Sequence, residues 1–110
     1  MSRHNCYFVY ILMNCGGTTL YIGVTNDLLR RLEEHKSGNG SVFTATYRMS
    51  RLVYFEDFVD VRDALLREKQ LKGWKRARKD ELIRDVNPHL EDLTEEAARR
   101  AAELRSGNFG

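Results

Sequence analysis

Two apolar runs separated by turn residues open this chain, and they leave little choice about how it begins to fold. Cys6-Tyr7-Phe8-Val9-Tyr10-Ile11-Leu12 and Leu20-Tyr21-Ile22-Gly23-Val24 are rich in the aromatic and β-branched residues that favour strands. Between them, Asn14-Cys15-Gly16-Gly17-Thr18 is turn chemistry, so residues 6–13 and 20–24 pair as a hairpin. Asn26 or Asp27 then caps a helix that runs to about Lys36, and Ser37-Gly38-Asn39-Gly40-Ser41 ends it. Residues 42–50 support no assignment.

Leu52-Val53-Tyr54-Phe55-Glu56 reads as a third strand. Asp60 caps a second helix through about Lys72, and Gly73 interrupts it. A third helix ends at Val86, because Asn87 precedes Pro88 and a residue before proline avoids the helical region. Thr94 is placed to cap a last helix, in which Glu95 and Glu96 face Arg99 and Arg100 as i,i+4 pairs. Its thin apolar stripe predicts an appendage without chemistry, and residues 106–110 read as a tail. The order ββα, β, then helices predicts an α+β fold: a small three-stranded antiparallel sheet flanked by helices, with an extra C-terminal helix.

A chain of 110 residues is one domain by default and holds one modest core without staples. No apolar run approaches the roughly 20 residues of a membrane span, and no signal peptide opens the chain, so a cytoplasmic protein is expected. Cys6 and Cys15 fit no metal or redox spacing and read as free thiols in a reducing compartment. Net charge is only +2, yet Lys72, Lys75, Arg76, Arg78 and Lys79 fall within eight residues. Near a helix N-terminus such cations oppose the helix dipole, and a nucleic-acid backbone would compensate them. A solvated helix face, partly offset by Asp80 and Glu81, is the plainer alternative. Trp74 inside the run is either a core residue or a surface on which a base stacks.

Several residues break the apolar pattern. Arg31 follows Tyr21 by ten residues, and His35 follows Arg31 by four, beside a helix stripe formed by Leu28, Leu32 and His35. A guanidinium at the edge of a packed face needs an anionic partner, either a local carboxylate such as Asp27 or a phosphate. On the second helix, Val61, Ala64, Leu65, Leu71 and Lys72 define a face that includes Glu68. A carboxylate there must be paired, protonated or metal-bound. A salt bridge to Arg31 or Lys72 competes with a Mg2+ site, since magnesium accepts one or two carboxylates with water and substrate phosphate. Tyr10, Tyr21 and Asn87 would each, taken alone, be ordinary core or turn residues.

Taken together, these residues resemble the GIY-YIG nuclease family over about residues 5–93, leaving 94–110 as a C-terminal helix and tail. Tyr21-Ile22-Gly23 is the second half of the family's name, and Phe8-Val9-Tyr10 stands where the first half, Gly-Ile-Tyr, belongs. Arg31, His35 and Glu68 fall at the family's arginine, its His-or-Tyr position and its metal-binding glutamate, and Asn87 at a late asparagine. The stretches Tyr21 to Leu28 and Asn87 to Leu93 look most like the small stand-alone bacterial branch, which is related to the N-terminal nuclease domain of the excinuclease C subunit. Two positions depart from the wider pattern: Phe8 replaces the first glycine, and Val24 stands where the excinuclease branch often has lysine.

The resemblance implies a DNA endonuclease that hydrolyses phosphodiesters with a single Mg2+ or Mn2+ on Glu68. Catalytic roles are implied for Tyr10, Tyr21, Arg31, His35, Glu68 and Asn87, with Tyr10 favoured as the base. Lys72, Trp74, Lys75, Arg76, Arg78 and Lys79 would bind DNA. The form of the DNA stays open among single-stranded, duplex and branched, with single-stranded or structured DNA favoured and a role in repair or recombination an alternative. An inactive nucleic-acid-binding module and a protein-docking role for the last helix are the competing readings.

Overall fold

A computed structural model describes residues 6–37, 49 and 51–106. Most of the unassigned stretch 42–50, the expected loop from Gly38, and residues 107–110 of the tail lie outside the described residues.

The two apolar runs pair as expected. Strands β1 (Tyr7–Met13) and β2 (Leu20–Thr25) form an antiparallel hairpin. Strand β3 (Arg51–Phe58) adds to the other side of β1, giving the order β2-β1-β3. Because β1 is central, both of its faces are covered, which is why its sequence is continuously apolar. Phe8, Tyr10 and Leu12 point into one core; Val9, Ile11 and Met13 point into the other. Gly17, at φ 74°, takes the left-handed turn of the hairpin loop that a glycine adopts without strain.

Helix α1 (Leu28–Lys36) covers the first face with Leu28 and Leu32. Of the two candidate caps, Asp27 is the one used: its carboxylate accepts from the Arg30 amide at 3.3 Å. Helices α2 (Val61–Gly73) and α3 (Arg76–Val86) cover the second face through Ala64, Leu71 and Ile83. Asp60 caps α2 as expected, accepting from the Arg62 amide at 2.9 Å. Gly73 is the last residue of that helix, and the extended backbone at Trp74 makes the break. Leu65 is 47% exposed and Val61 38%, so the buried stripe of α2 is narrower than its sequence suggests. Leu65 sits about 100° around the helix from Ala64, which turns it away from the sheet. The stripe that faces inward is Ala64, Glu68 and Leu71, at i, i+4 and i+7.

Helix α4 (Thr94–Arg105) differs most from expectation. Thr94 is its first residue and not its cap. The capping carboxylate is that of Asp92, which accepts from the Thr94 amide at 3.1 Å and its hydroxyl at 2.6 Å. The Arg100 guanidinium reaches across to Asp57 on β3 at 2.8 Å, instead of back to Glu96. Ala97 and Leu104 are buried beside Phe8 and Leu28, so α4 is part of the first core and not an appendage to it.

Candidate active site

The register of the hairpin builds the centre of the site. Tyr10 lies directly opposite Gly23, and Leu12 opposite Tyr21. Side chains two apart share a face, so Tyr10 and Tyr21 emerge on the same side of the sheet. Their ring centroids are 6.2 Å apart. A Cβ on Gly23 would lie 2.6 Å from the Tyr10 hydroxyl oxygen, well inside contact distance. The glycine therefore makes the space that the phenol fills. Gly23 stands in the Tyr21-Ile22-Gly23 motif, which does not by itself disclose this role. The available signal was a glycine inside an apolar strand, which marks close approach by a neighbour.

His35, in the last turn of α1, meets the two tyrosines from above the sheet. Its Nε2 is 3.1 Å from the Tyr10 hydroxyl, and its ring centroid is 5.3 Å from that of Tyr21. His35 is 4% exposed, and its buried Nδ1 has no hydrogen-bond partner among the described residues. Burial pushes its pKa down, the Arg31 guanidinium pushes the same way, and Glu34 only partly opposes them. The imidazole is therefore neutral at pH 7.

Burial likewise drives the Tyr10 phenol well above the ordinary tyrosine value. Tyr21 and the carboxylate of Glu68 add to that rise, while Arg31 opposes it. The same phenol thus feels a cation from α1 and an anion from α2. Arg31 projects from α1 with its side chain 39% exposed and pairs with Glu34 at 3.3 Å. Asp27, the partner suggested by spacing, is taken up by the cap and by Arg30 at 3.8 Å. Glu68 sits on the inward stripe of α2 with only 18% of its side chain exposed, and its carboxylate pairs with Lys72 at 3.1 Å. Among the described residues, no group of three or more His, Cys, Asp or Glu side chains gathers to hold a metal. Glu68 supplies a single hard oxygen ligand, which fits a hydrated Mg2+ completed by substrate oxygens.

Glu56, on β3, holds the rotation of α2. It accepts from Arg67 Nη2 at 2.9 Å and Nε at 3.1 Å, one residue before Glu68. Tyr54 donates to the same carboxylate. No sequence spacing pointed to this contact, because it joins residues on separate elements.

Asn87 is held in a hydrogen-bond network of its own. Its side-chain amide donates to the carbonyls of Val53 at 3.1 Å and Glu91 at 2.8 Å, and accepts from the Glu91 amide at 3.0 Å. These bonds brace the segment after α3 against β3.

The basic run divides by partner. Lys72 is on Glu68. Arg76 bonds Asp80 at 2.9 Å and the carbonyls of Thr18 at 2.7 Å and Gly17 at 2.8 Å, which ties α3 to the hairpin loop. Arg78 lies 4.0 Å over the Trp74 ring and Arg67 lies 5.3 Å from its centroid, so guanidinium groups already stack on the indole. Lys75 is exposed and Lys79 half-buried. Trp74, Lys75, Arg78 and Glu81 help line a shallow groove of about 590 Å³.

Comparison with known proteins identifies the family of the chain. Residues 6–81 match the GIY-YIG catalytic domain. The chain is 42% identical to a UPF0213 protein of Bacillus pumilus over 86 residues, covering 78% of this chain and 86% of that protein. It is 36% identical to a UPF0213 protein of Pediococcus pentosaceus over 89 residues, covering 81% and 93%. The solution NMR structure of a UPF0213 protein from Bacillus halodurans is similar at a TM-score of 0.53 and 31% identity, covering 82% of this chain and 95% of that one. The chain belongs to the GIY-YIG family, whose members are generally nucleases.

Proposed function

We propose that this protein is an endonuclease that hydrolyses DNA phosphodiester bonds with one Mg2+ or Mn2+ held by Glu68. The observation that carries this reading is the pair of opposite charges acting on one buried phenol. Arg31 on α1 and Glu68 on α2 act on the Tyr10 phenol with opposite charge, beside the ring cluster of Tyr10, Tyr21 and His35. A cation and an anion held around a proton-transfer group suit a scissile phosphate and its metal better than they suit a core.

The chain's own residues divide the work. Arg31 leaves its half-exposed pair with Glu34, at little cost, and places a fork of donors on the phosphate. Tyr10 takes the proton of the attacking water. It transfers its own proton to the neutral His35, whose Nε2 lies 3.1 Å away. Tyr21 orients the water or the phosphate beside these rings. Glu68 would hold the divalent cation, which would supply charge stabilisation at the phosphate and screen the carboxylate that raises the Tyr10 pKa. Asn87 acts by holding the segment after α3, and does not touch substrate. Lys75, Arg78 and Lys79 contact the DNA backbone, with Lys72 joining them. Arg76 and Trp74 shape that surface from within.

Single-stranded and structured DNA are the proposed substrate forms, and a cytoplasmic role in repair belongs to the same reading. Among the described residues, no helix is long and apolar enough to cross a membrane. The test is to incubate purified protein with Mg2+ or Mn2+ and matched single-stranded, duplex and branched DNA, beside Arg31→Ala. Metal-dependent cleavage lost in the variant supports the proposal. Binding of DNA without any cleavage would instead mark an inactive nucleic-acid-binding module.

A further inference from the structure

Glu68 is a mostly buried carboxylate, and among the described residues Lys72 is the cation paired with it. Its side chain is 18% exposed, and Lys72 Nζ lies 3.1 Å from it across one helical turn. A carboxylate in that setting is costly without a counter-charge. Arg31 does not supply it by a salt bridge, because its own ion pair is to Glu34 at 3.3 Å. Lys72 is 55% exposed at its side chain, and its ammonium rides on a long flexible stem. It can leave the carboxylate without disturbing the core.

We propose that Lys72 is a stand-in cation for Glu68 that exchanges with the divalent metal and moves onto the DNA phosphate when the metal is loaded. This rests on the reading of Glu68 as the metal ligand. An ammonium and a divalent ion compete for the same carboxylate oxygens and repel one another at contact distance. Lys72 therefore keeps Glu68 neutralised in free protein and weakens metal binding there. The exchange releases a positive charge one helical turn from Glu68, at the start of the run that continues with Lys75 and Lys79. Metal loading and phosphate binding are thereby coupled, because DNA provides the new partner that the displaced ammonium needs.

The test measures Mn2+ binding without DNA, by electron paramagnetic resonance, in the wild type, Lys72→Gln, Lys72→Arg and Glu68→Gln, with cleavage assayed alongside. Lys72→Gln is expected to bind Mn2+ more tightly by roughly two- to fivefold, the strength of a half-exposed ion pair. Its KM for DNA is expected to rise. Lys72→Arg, which keeps the charge, should bind Mn2+ like the wild type. A merely structural role for Lys72 would weaken metal binding, not strengthen it. Unchanged or weaker Mn2+ affinity in Lys72→Gln, with Glu68→Gln losing both Mn2+ and cleavage, overturns the exchange and leaves the nuclease reading standing. Tightening in Lys72→Arg equal to that in Lys72→Gln also overturns it. Retention of Mn2+ binding and cleavage by Glu68→Gln removes the metal assignment, and the exchange with it.

Discussion

Gly23 and Tyr10 are cross-strand partners, and the absent side chain of the glycine is the space occupied by the phenol. A methyl group at Gly23 would sit 2.6 Å from the Tyr10 hydroxyl oxygen and 2.7 Å from the ring carbon that bears it. Gly23→Ala should therefore force the ring out of place, costing about 1–3 kcal/mol as overpacking. For a domain of this size that lowers Tm by several degrees. The same shift breaks the 3.1 Å contact with His35. Cleavage should fall by about 100-fold or more, the scale of a lost proton-transfer group. Thermal melting and single-turnover cleavage of the same preparation check both effects. A variant with wild-type melting and wild-type turnover would contradict this packing account.

His35 predicts the shape of acid destabilisation. Its pKa is lowered in the folded state, so below the unfolded value of about 6.5 the unfolded chain binds the proton more readily. The contribution of His35 to stability is full above that pH and is lost as pH falls from about 6.5 through its lowered folded value. Replacing His35 with Gln should flatten the dependence of unfolding free energy on pH between about 7 and 5. Urea denaturation at stepped pH measures this slope, and an unchanged slope would contradict a neutral buried imidazole.

Asn87 should behave as a structural residue. Asn87→Ala leaves the Val53 and Glu91 carbonyls without their donor and the Glu91 amide without its acceptor, at a cost of about 2–4 kcal/mol. At a temperature where the variant is folded, kcat should stay within about tenfold of wild type, because no general acid–base group is lost. A loss of kcat by several orders of magnitude in folded protein would place Asn87 in the chemistry instead.

The basic run should split by function. Lys75→Ala should weaken DNA binding and reduce the salt dependence of log K by about one for a lost phosphate contact. Arg76→Ala should chiefly lower stability, because its guanidinium bonds the Gly17 and Thr18 carbonyls and Asp80. Fluorescence anisotropy at several salt concentrations, paired with thermal melting, separates the two. Equal salt slopes in the two variants would contradict this division.

Local signals in the sequence were dependable where a residue acts on its own neighbours. Asp27, Asp60 and the Asn87-Pro88 stop are short-range devices, and the structure uses them as read. Residue spacing also exposed Glu68, because a carboxylate at i+4 from Ala64 and i−3 from Leu71 cannot avoid the inward face. What spacing could not supply was the choice of partner. Arg31 turned to Glu34 and not to Asp27, and Arg100 turned to Asp57 and not to Glu96. The first choice stays within α1, where the cap and Arg30 already engage Asp27, whereas the second depends on β3 packing alongside, which an isolated helix does not contain. A glycine inside an apolar strand signals a close neighbour, but which neighbour is not legible in the sequence. It depends on strand register, which puts Tyr10 and no other residue across from it.

In the proposed mechanism, Glu68 holds the metal on which phosphodiester cleavage depends. Glu68→Gln keeps the size of the side chain and its place on α2 while removing the charge. Single-turnover cleavage of a fluorescent DNA substrate, titrated with Mg2+ and Mn2+, tests it most directly. The expected result is metal-dependent cleavage by the wild type and a loss of at least about 1,000-fold in Glu68→Gln, within the range set by removing a metal's charge stabilisation. Cleavage by Glu68→Gln at the wild-type rate and with the wild-type metal dependence would contradict it.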